Sequence, residues 1–186
     1  MEKESFKKLI EEVRDGFVVP AQMKQSWAAD MSVLKEIDKI CQQHQIAYFA
    51  DWGTLLGAVR HGGMIPWDDD LDIVMKRADY QRFLEVVEQD GSCDLKVLTY
   101  RNQAPDNWMF MGKVVKKDRI CFEPEHLRQN FNYPYIASVD IFVLDYLYRD
   151  EKKEQERREL CLYLLGVANA IKDGSLQGDQ IWNNLL

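Results

Sequence analysis

The feature that most constrains the fold of this chain is the acidic segment over residues 68–72. Residues 68 to 72 hold four carboxylates in five positions, and the apolar run 71–75 begins inside them. Two unit charges about 6 Å apart repel by roughly 3 kcal/mol at an effective dielectric near 20, so this density needs a cation or full solvation. The apolar run argues against full solvation, because it is typical of a buried strand. The segment therefore predicts a cation site at one end of a sheet.

Strand alternation indicates which carboxylates act together. Side chains two positions apart share a face of a strand, with Cα atoms about 6.5 Å apart, so Asp70 and Asp72 should project together. Asp140 lies between Val139 and Ile141, where an ionised carboxylate is costly unless it is paired or bound to a metal. We predict that Asp70, Asp72 and Asp140 hold Mg²⁺ or Mn²⁺, which prefer oxygen ligands. The competing interpretation of Asp140 is a buried carboxylate satisfied by backbone donors or a basic side chain.

Other polar residues are weaker candidates for the same site. Gly53-Thr54 follows an expected strand and opens a short helix, whose free backbone N–H groups could hold a phosphate. A glycine in that position usually only relieves a backbone constraint. Arg60 and Lys113 could also contact phosphate, although a lone basic residue is more often exposed or ion-paired. Asp68 and Asp69 either cap a turn and reach solvent or support the metal ligands.

Composition narrows the class of protein. The chain has 186 residues, 46% of them hydrophobic, which supports one sizeable core, and we expect a single domain over 1–186. The formal net charge of −7 disfavours binding to nucleic acid or to anionic membrane surfaces. The first residues lack the apolar core of a signal peptide, and no apolar stretch reaches the length of a membrane span. These features predict a cytoplasmic protein without a transmembrane segment or a nucleic-acid partner.

Hydrophobic periodicity predicts an α/β fold. Apolar residues at helical spacing predict two N-terminal amphipathic helices, over 6–17 and 23–45, separated by Pro20. Trp52 and Trp67 are expected in the core, with stacking on a base or enclosing a quaternary ammonium as alternatives. A closing helix should begin after Asp150 and stop at Gly174. The remaining helices are expected over 53–60 and 80–89, and the strands over 46–52, 71–75, 95–99, 109–115, 119–122 and 137–144.

Three stretches of this sequence closely resemble the LicD family. They are Gly53-Thr54-Leu55-Leu56-Gly57-Ala58-Val59-Arg60-His61, Ile65-Pro66-Trp67-Asp68-Asp69-Asp70-Leu71-Asp72-Ile73 and Val139-Asp140-Ile141-Phe142-Val143-Leu144-Asp145. The resemblance covers roughly 22–147 and extends to the wider nucleotidyltransferase superfamily, whose turn is usually Gly-Ser where this chain has Gly53-Thr54. It implies a nucleotidyltransferase-like mixed sheet with flanking helices, to which the periodicity adds the N-terminal helical pair.

The resemblance also implies an activity. LicD-type enzymes move a phosphorylated alcohol, typically phosphocholine from CDP-choline, onto a cell-surface glycan such as teichoic acid or lipopolysaccharide, and fukutin-type ribitol-phosphate transferases look related. By that resemblance Asp70, Asp72 and Asp140 would hold Mg²⁺ (or Mn²⁺) against the donor diphosphate. Gly53 and Thr54 would approach its phosphates, and CMP would be the leaving group. The implied partners are a CDP-alcohol donor and a glycan acceptor.

Two other functions stay open on the sequence alone. A true nucleotidyltransferase would attack the α-phosphate of a nucleoside triphosphate and release pyrophosphate, using a similar set of metal ligands. A non-catalytic module would only bind a glycan or a nucleotide. The chain ends at Leu186, whereas members of the resembled family usually continue well past the third motif. We therefore expect either a truncated chain or a compact member.

Overall fold

The computed structural model describes residues 9–89, 94–99, 102, 111–116 and 119–176. The chain divides into two compact units, Met1–Leu144 and Asp145–Leu186, and each unit is described by itself. The single domain expected over the whole chain stays a prediction. In the described part of the chain, no helix is both long enough and apolar enough to cross a membrane.

A β-hairpin stands where the first helix was predicted. Strands β1 (Glu12–Arg14) and β2 (Phe17–Val19) pair antiparallel around Asp15-Gly16. Both linking residues have positive φ, 50° and 77°, as a type I′ turn requires. The predicted N-terminal helical pair is therefore wrong in its first member, because an Asp-Gly turn specifies a hairpin more strongly than a loose apolar periodicity favours a helix. Positions 6–8 of that predicted helix lie outside the described residues.

The second N-terminal helix is confirmed as α1 (Ala21–His44). It ends at Gln45, which adopts a left-handed conformation with φ 54° and donates its N–H to carbonyls of the last turn. This closure satisfies carbonyl groups that a helix end otherwise leaves without partners. The residues of α1 that face the protein interior include Val33 and Ile37, which are fully buried.

Four further helices follow within the described residues. They are α2 (Trp52–Arg60), α3 (Arg77–Gln89), α4 (Pro124–Gln129) and α5 (Glu151–Lys172). The first two confirm the helices predicted over 53–60 and 80–89. The short α4 was not predicted, although Pro124 in its first turn is a recognised start signal. The strand predicted over 119–122 is wrong, because this segment is a loop in which the Cys121 N–H donates to the Pro134 carbonyl at 2.9 Å.

A five-stranded mixed sheet organises the first unit. Its strands are β3 (Phe49–Ala50), β4 (Asp72–Lys76), β5 (Lys96–Leu98), β6 (Gly112–Val115) and β7 (Ser138–Leu144), in the spatial order β3-β4-β7-β6-β5. The β4 and β7 strands are parallel, and the other pairs are antiparallel. Strands predicted over 71–75, 95–99 and 137–144 are confirmed within one or two residues. The strand predicted over 46–52 is reduced to the two residues of β3, because α2 already begins at Trp52. The strand predicted over 109–115 corresponds to β6, and its positions 109–110 lie outside the described residues.

The two faces of this sheet differ in what they carry. Helices α1 and α3 pack against one face, where one hydrophobic cluster includes the fully buried Phe83 of α3 and Ile73 and Ile141 of the sheet. Each large apolar side chain removed from water there contributes about 1.5–3 kcal/mol. Alternation along β4 and β7 turns Asp72 and Asp140 to the opposite face. The predicted class, an α/β fold with a mixed sheet and flanking helices, is confirmed.

The second unit contains α5. Asp150 caps this helix by accepting a hydrogen bond from the Lys153 N–H at 2.9 Å, as the sequence predicted. Near its start, the Glu154 carboxylate is ion-paired with Arg157 and Arg158. Gly174 adopts φ 79° just beyond the last turn, and this confirms the predicted stop.

Candidate metal and phosphate site

Three charged residues form a row across the sheet face opposite α1 and α3. The parallel register places Asp72 of β4 beside Asp140 of β7, and the antiparallel register places Lys113 of β6 on the other side of Asp140. The Asp140 N–H donates to the Leu71 carbonyl at 2.9 Å, which fixes this register where the strands begin. Sheet pairing therefore brings together three predicted site residues that are far apart in the sequence.

The carboxylates of this region disfavour one another's ionisation. Burial, and after it the charges of Asp70, Asp140 and Asp68, raise the pKa of Asp72 to about 6. Burial and then neighbouring carboxylates also raise the pKa of Asp70. The Lys113 ammonium acts in the opposite direction on both groups. A site with this surplus of negative charge is stabilised by a bound cation.

Asp140 is paired with a basic side chain. Its carboxylate is 8% exposed, and its Oδ1 lies 2.7 Å from Lys113 Nζ. Among the described residues no donor meets this oxygen with hydrogen-bond geometry, so the contact is an ion pair. This matches the competing interpretation of Asp140 from the sequence. The role of Asp140 as a metal ligand, and that of Lys113 as a phosphate contact, stay predictions.

Asp70 approaches the row from a loop. Strand β4 begins at Asp72, so the strand alternation expected to align Asp70 with Asp72 does not apply. Asp70 belongs instead to a group with Asp68 and Asp69, in which one carboxylate oxygen of each residue lies within 4.8 Å of one oxygen of each of the others. The acidic loop thus places its carboxylates next to the row without continuing the strand.

Side chains and backbone of neighbouring elements hold the acidic loop in place. The Trp27 indole N–H donates to the Asp68 carbonyl at 2.7 Å. A Cβ atom added at Gly53 would stand 2.2 Å from Asp68 Oδ2, so only a glycine allows this approach. The Thr54 hydroxyl accepts the Asp72 N–H at 2.7 Å. Gly53 and Thr54 therefore lie beside the carboxylates, and their proposed contact with phosphate stays a prediction.

Arg60 lies at the end of α2 and contacts the neighbouring His61. It ends α2, about 12 Å along the helix axis from Trp52 at a rise of 1.5 Å per residue. Its Nε donates to His61 Nε2 at 2.8 Å, and His61 Nδ1 lies 2.9 Å from Asp15 Oδ2 in the hairpin. The proposed contact of Arg60 with phosphate stays a prediction.

Asp30 is a residue of this region that the sequence interpretation missed. It lies in α1, is 4% exposed, and accepts hydrogen bonds from the Ser138 N–H at 2.8 Å and the Ser26 hydroxyl at 3.3 Å. Burial raises its pKa to about 7, and the Lys113 charge opposes that rise. The available signal was a carboxylate three residues after Trp27, within the apolar stripe of a helix.

Both tryptophans expected in the core are largely exposed. Trp52 is 65% exposed, and its ring centroid lies 6.0 Å from that of Phe142. Trp67 is 53% exposed and makes edge contacts with Phe17 and His61. The prediction that both tryptophans lie in the core is wrong. Each belongs to a segment next to the carboxylates, outside the core that α1 and α3 form against the sheet.

Comparison with known proteins identifies the class to which this fold and site belong. The sequence model of the LicD/FKTN/FKRP nucleotidyltransferase domain matches residues 45–143. That range is more than half of the chain and contains the acidic loop, β4, β6 and all of β7 except its last residue. The chain belongs to this family, as the sequence motifs indicated.

Individual relatives match over shorter stretches. The lipopolysaccharide cholinephosphotransferase LicD of Haemophilus influenzae is 45% identical over 60 residues, which are 32% of this chain and 23% of that protein. An uncharacterized protein of Rickettsia typhi is 41% identical over 69 residues, 37% of this chain and 21% of its own length. An uncharacterized protein of Rickettsia prowazekii is 44% identical over 62 residues, 32% of this chain and 23% of its own length. The matched region thus spans less than a quarter of each relative.

Proposed function

We propose that this chain transfers phosphocholine from a CDP-activated donor to a hydroxyl group of a cell-surface glycan. The observation that carries the proposal is the row of Asp72, Asp140 and Lys113, with Asp70 beside it, in a chain of the LicD family. The similarity to a lipopolysaccharide cholinephosphotransferase supports the choice of phosphocholine and of a glycan acceptor. A cytoplasmic location is part of the proposal, and its support is the composition of the sequence.

The donor set suits a hard divalent cation. Asp70, Asp72 and Asp140 offer carboxylate oxygens only, and their environment carries a surplus of negative charge. We propose that these three residues hold Mg²⁺, or Mn²⁺ in its place. When bound, the metal would neutralise charge on the donor diphosphate and on the departing phosphate.

The chain's own groups would position the two substrates. Lys113 lies in the same row and would bind a phosphate oxygen of the donor through its ammonium group. In the part of the chain that the structure describes, the Asp51 side chain does not cap the first turn of α2, so the backbone N–H groups at Gly53 and Thr54 would bind a second phosphate oxygen. Together they would fix the β-phosphorus for in-line attack by the acceptor hydroxyl.

The proposed reaction exchanges one phosphorus–oxygen bond for another. The acceptor oxygen bonds to the β-phosphorus, and the bond from that phosphorus to the bridging oxygen breaks. CMP leaves with the bridging oxygen and its electron pair. We assign the proton of the acceptor hydroxyl to Asp140, whose carboxylate lies within the row.

Calorimetric titration of CDP-choline tests the donor site. Wild-type protein should bind in Mg²⁺ and lose binding in EDTA, whereas Asp72→Asn should not bind in either condition, because one anionic oxygen of the metal site is removed. Asp38→Asn is the matched control, since Asp38 lies on α1 and is hydrogen-bonded to Gln42 and Tyr48. Equal binding in Mg²⁺ and EDTA, or full turnover by Asp72→Asn, would contradict the proposal.

Analysis of the reaction products distinguishes the proposed transfer from a true nucleotidyltransferase and from a binding module. A true nucleotidyltransferase is the second candidate, favoured by the description of the matched family domain. It would release pyrophosphate from CTP, whereas the proposed reaction releases CMP from CDP-choline. Metal-dependent binding without turnover, with acceptor glycan present, would indicate a binding module instead.

A further inference from the structure

The sheet face that carries the carboxylates also carries an apolar row. The register places Phe49 of β3 beside Val74 of β4, and Val74 beside Phe142 of β7. Side chains two positions apart on a strand share a face, so this row lies on the same face as Asp72 and Asp140. The two rows are separated by about 6.5 Å along the strands. An aromatic surface therefore adjoins the proposed metal and phosphate site.

Trp52 adds a third aromatic ring to this surface, beside Phe142. Its indole lies 6.0 Å from the Phe142 ring, centroid to centroid, and the two planes are inclined by 53°. The preceding residue, Asp51, donates its N–H to the Asp72 carbonyl at 3.1 Å, so Trp52 is attached directly beside the carboxylate row. Its backbone has φ 44°, a left-handed conformation that non-glycine residues rarely adopt. The indole is thus largely exposed next to the row of Asp72, Asp140 and Lys113.

We propose that Trp52 and Phe142 receive the quaternary ammonium group of the donor alcohol and thereby select which phosphorylated alcohol is transferred. This inference rests on the proposed function. An aromatic face attracts a quaternary ammonium through its negative quadrupole.

The same chemistry discriminates against other alcohols. A primary ammonium, as in ethanolamine, keeps its strong hydration by hydrogen bonding and gains less from an aromatic face. A neutral sugar alcohol carries no charge for the rings to attract. The aromatic pair should therefore favour a choline-type donor over both alternatives.

The alternative to a head-group site is that Trp52 belongs to a protein-docking surface on α2. Such a surface would use the whole exposed side of that helix, so it predicts different effects of substitution. Leu55, Leu56 and Val59 are also exposed, and Val59 is the most exposed of them at 78%. Val59 lies seven residues beyond Trp52, about 10 Å along the helix axis. Val59→Ser therefore serves as the matched control for loss of exposed apolar surface.

The test compares CDP-choline, CDP-ethanolamine, phosphocholine and CMP as ligands in Mg²⁺. Wild-type protein should prefer CDP-choline to CDP-ethanolamine by roughly tenfold, within the range of one well-placed cation–π contact. Trp52→Ala and Phe142→Leu should each remove most of that preference and weaken phosphocholine binding. Binding of CMP and of Mn²⁺ should change by less than about twofold. Trp52→Phe should keep most of the preference, because an aromatic face remains, and Val59→Ser should behave as wild type.

Each result separates this inference from the proposed function. Metal-dependent CDP-choline binding that Trp52→Ala leaves unchanged would overturn the head-group site and leave the proposed function standing. Phosphocholine binding that depends on Trp52, with no binding of any cytidine nucleotide, would support the head-group site and refute the CDP-activated donor. Equal weakening by Val59→Ser and Trp52→Ala would overturn the inference in favour of a docking surface. Parallel loss of CMP and Mn²⁺ binding in Trp52→Ala would also overturn it, since the residue would then support the fold.

Discussion

Asp30 should make the stability of the first unit depend on pH near neutrality. Its carboxylate is buried in α1, where burial raises the pKa from its ordinary value of 3.8 to about 7. A carboxyl group that is protonated more readily in the folded state contributes stability that is fully present below about pH 4. This contribution is lost as the pH rises through about 7.

The size of the effect follows from the two pKa values. Each unit of difference corresponds to 1.36 kcal/mol, so the full contribution is on the order of 4 kcal/mol, of which about 3 kcal/mol is lost between pH 5 and pH 8. Typical domains are stable by only about 5–15 kcal/mol. Asp30→Asn keeps a neutral group of the same shape that can accept the Ser138 N–H. It should therefore stabilise the protein at pH 8 and flatten the pH dependence.

Urea unfolding of the metal-free protein in EDTA, followed by tryptophan fluorescence between pH 5 and pH 8, measures this effect. Asp70 and Asp72 also have raised pKa values, so the quantity to compare is the difference between Asp30→Asn and wild type at each pH. Asp38→Asn leaves Asp30 in place and should retain the wild-type slope. Parallel wild-type and Asp30→Asn curves over the whole pH range would refute the reasoning, because Asp30 would then be ionised throughout.

Two further predictions concern the acidic loop. Gly53→Ala should weaken Mn²⁺ binding and turnover by about tenfold, because the new Cβ would stand 2.2 Å from Asp68 Oδ2 and force a shift in the loop that carries Asp70. Gly63→Ala, whose Cβ would meet open space, is the control, and unchanged Mn²⁺ affinity in Gly53→Ala would contradict this expectation. Thr54→Val should destabilise the first unit by about 1–3 kcal/mol in thermal unfolding, because the Asp72 N–H loses its acceptor. Thr54→Ser keeps the hydroxyl group and is the control. If Thr54→Ser showed the same loss of stability, the hydroxyl would not be responsible.

Local signals predicted most of the elements. Helices α1, α3 and α5 follow from apolar periodicity and from residues at their ends, such as Asp150 and Gly174, whose effects act within a turn of the helix. The N-terminal hairpin was also encoded locally, in Asp15-Gly16, but a helical spacing of apolar residues obscured it. The error over 6–17 therefore arose because two local signals competed and no tertiary contact was known to decide between them.

The sequence by itself determined that carboxylates enter a buried strand, that a small-residue turn precedes them, and that the chain belongs to its family. It did not determine that Asp140 lies between Asp72 and Lys113, since strand register depends on packing between segments distant in the chain. Nor did it place Asp30 against Ser138 or leave Trp52 exposed beside Phe142. Residue type and spacing are local properties, whereas neighbours across a sheet and the side that remains open are settled only when the helices pack on one face.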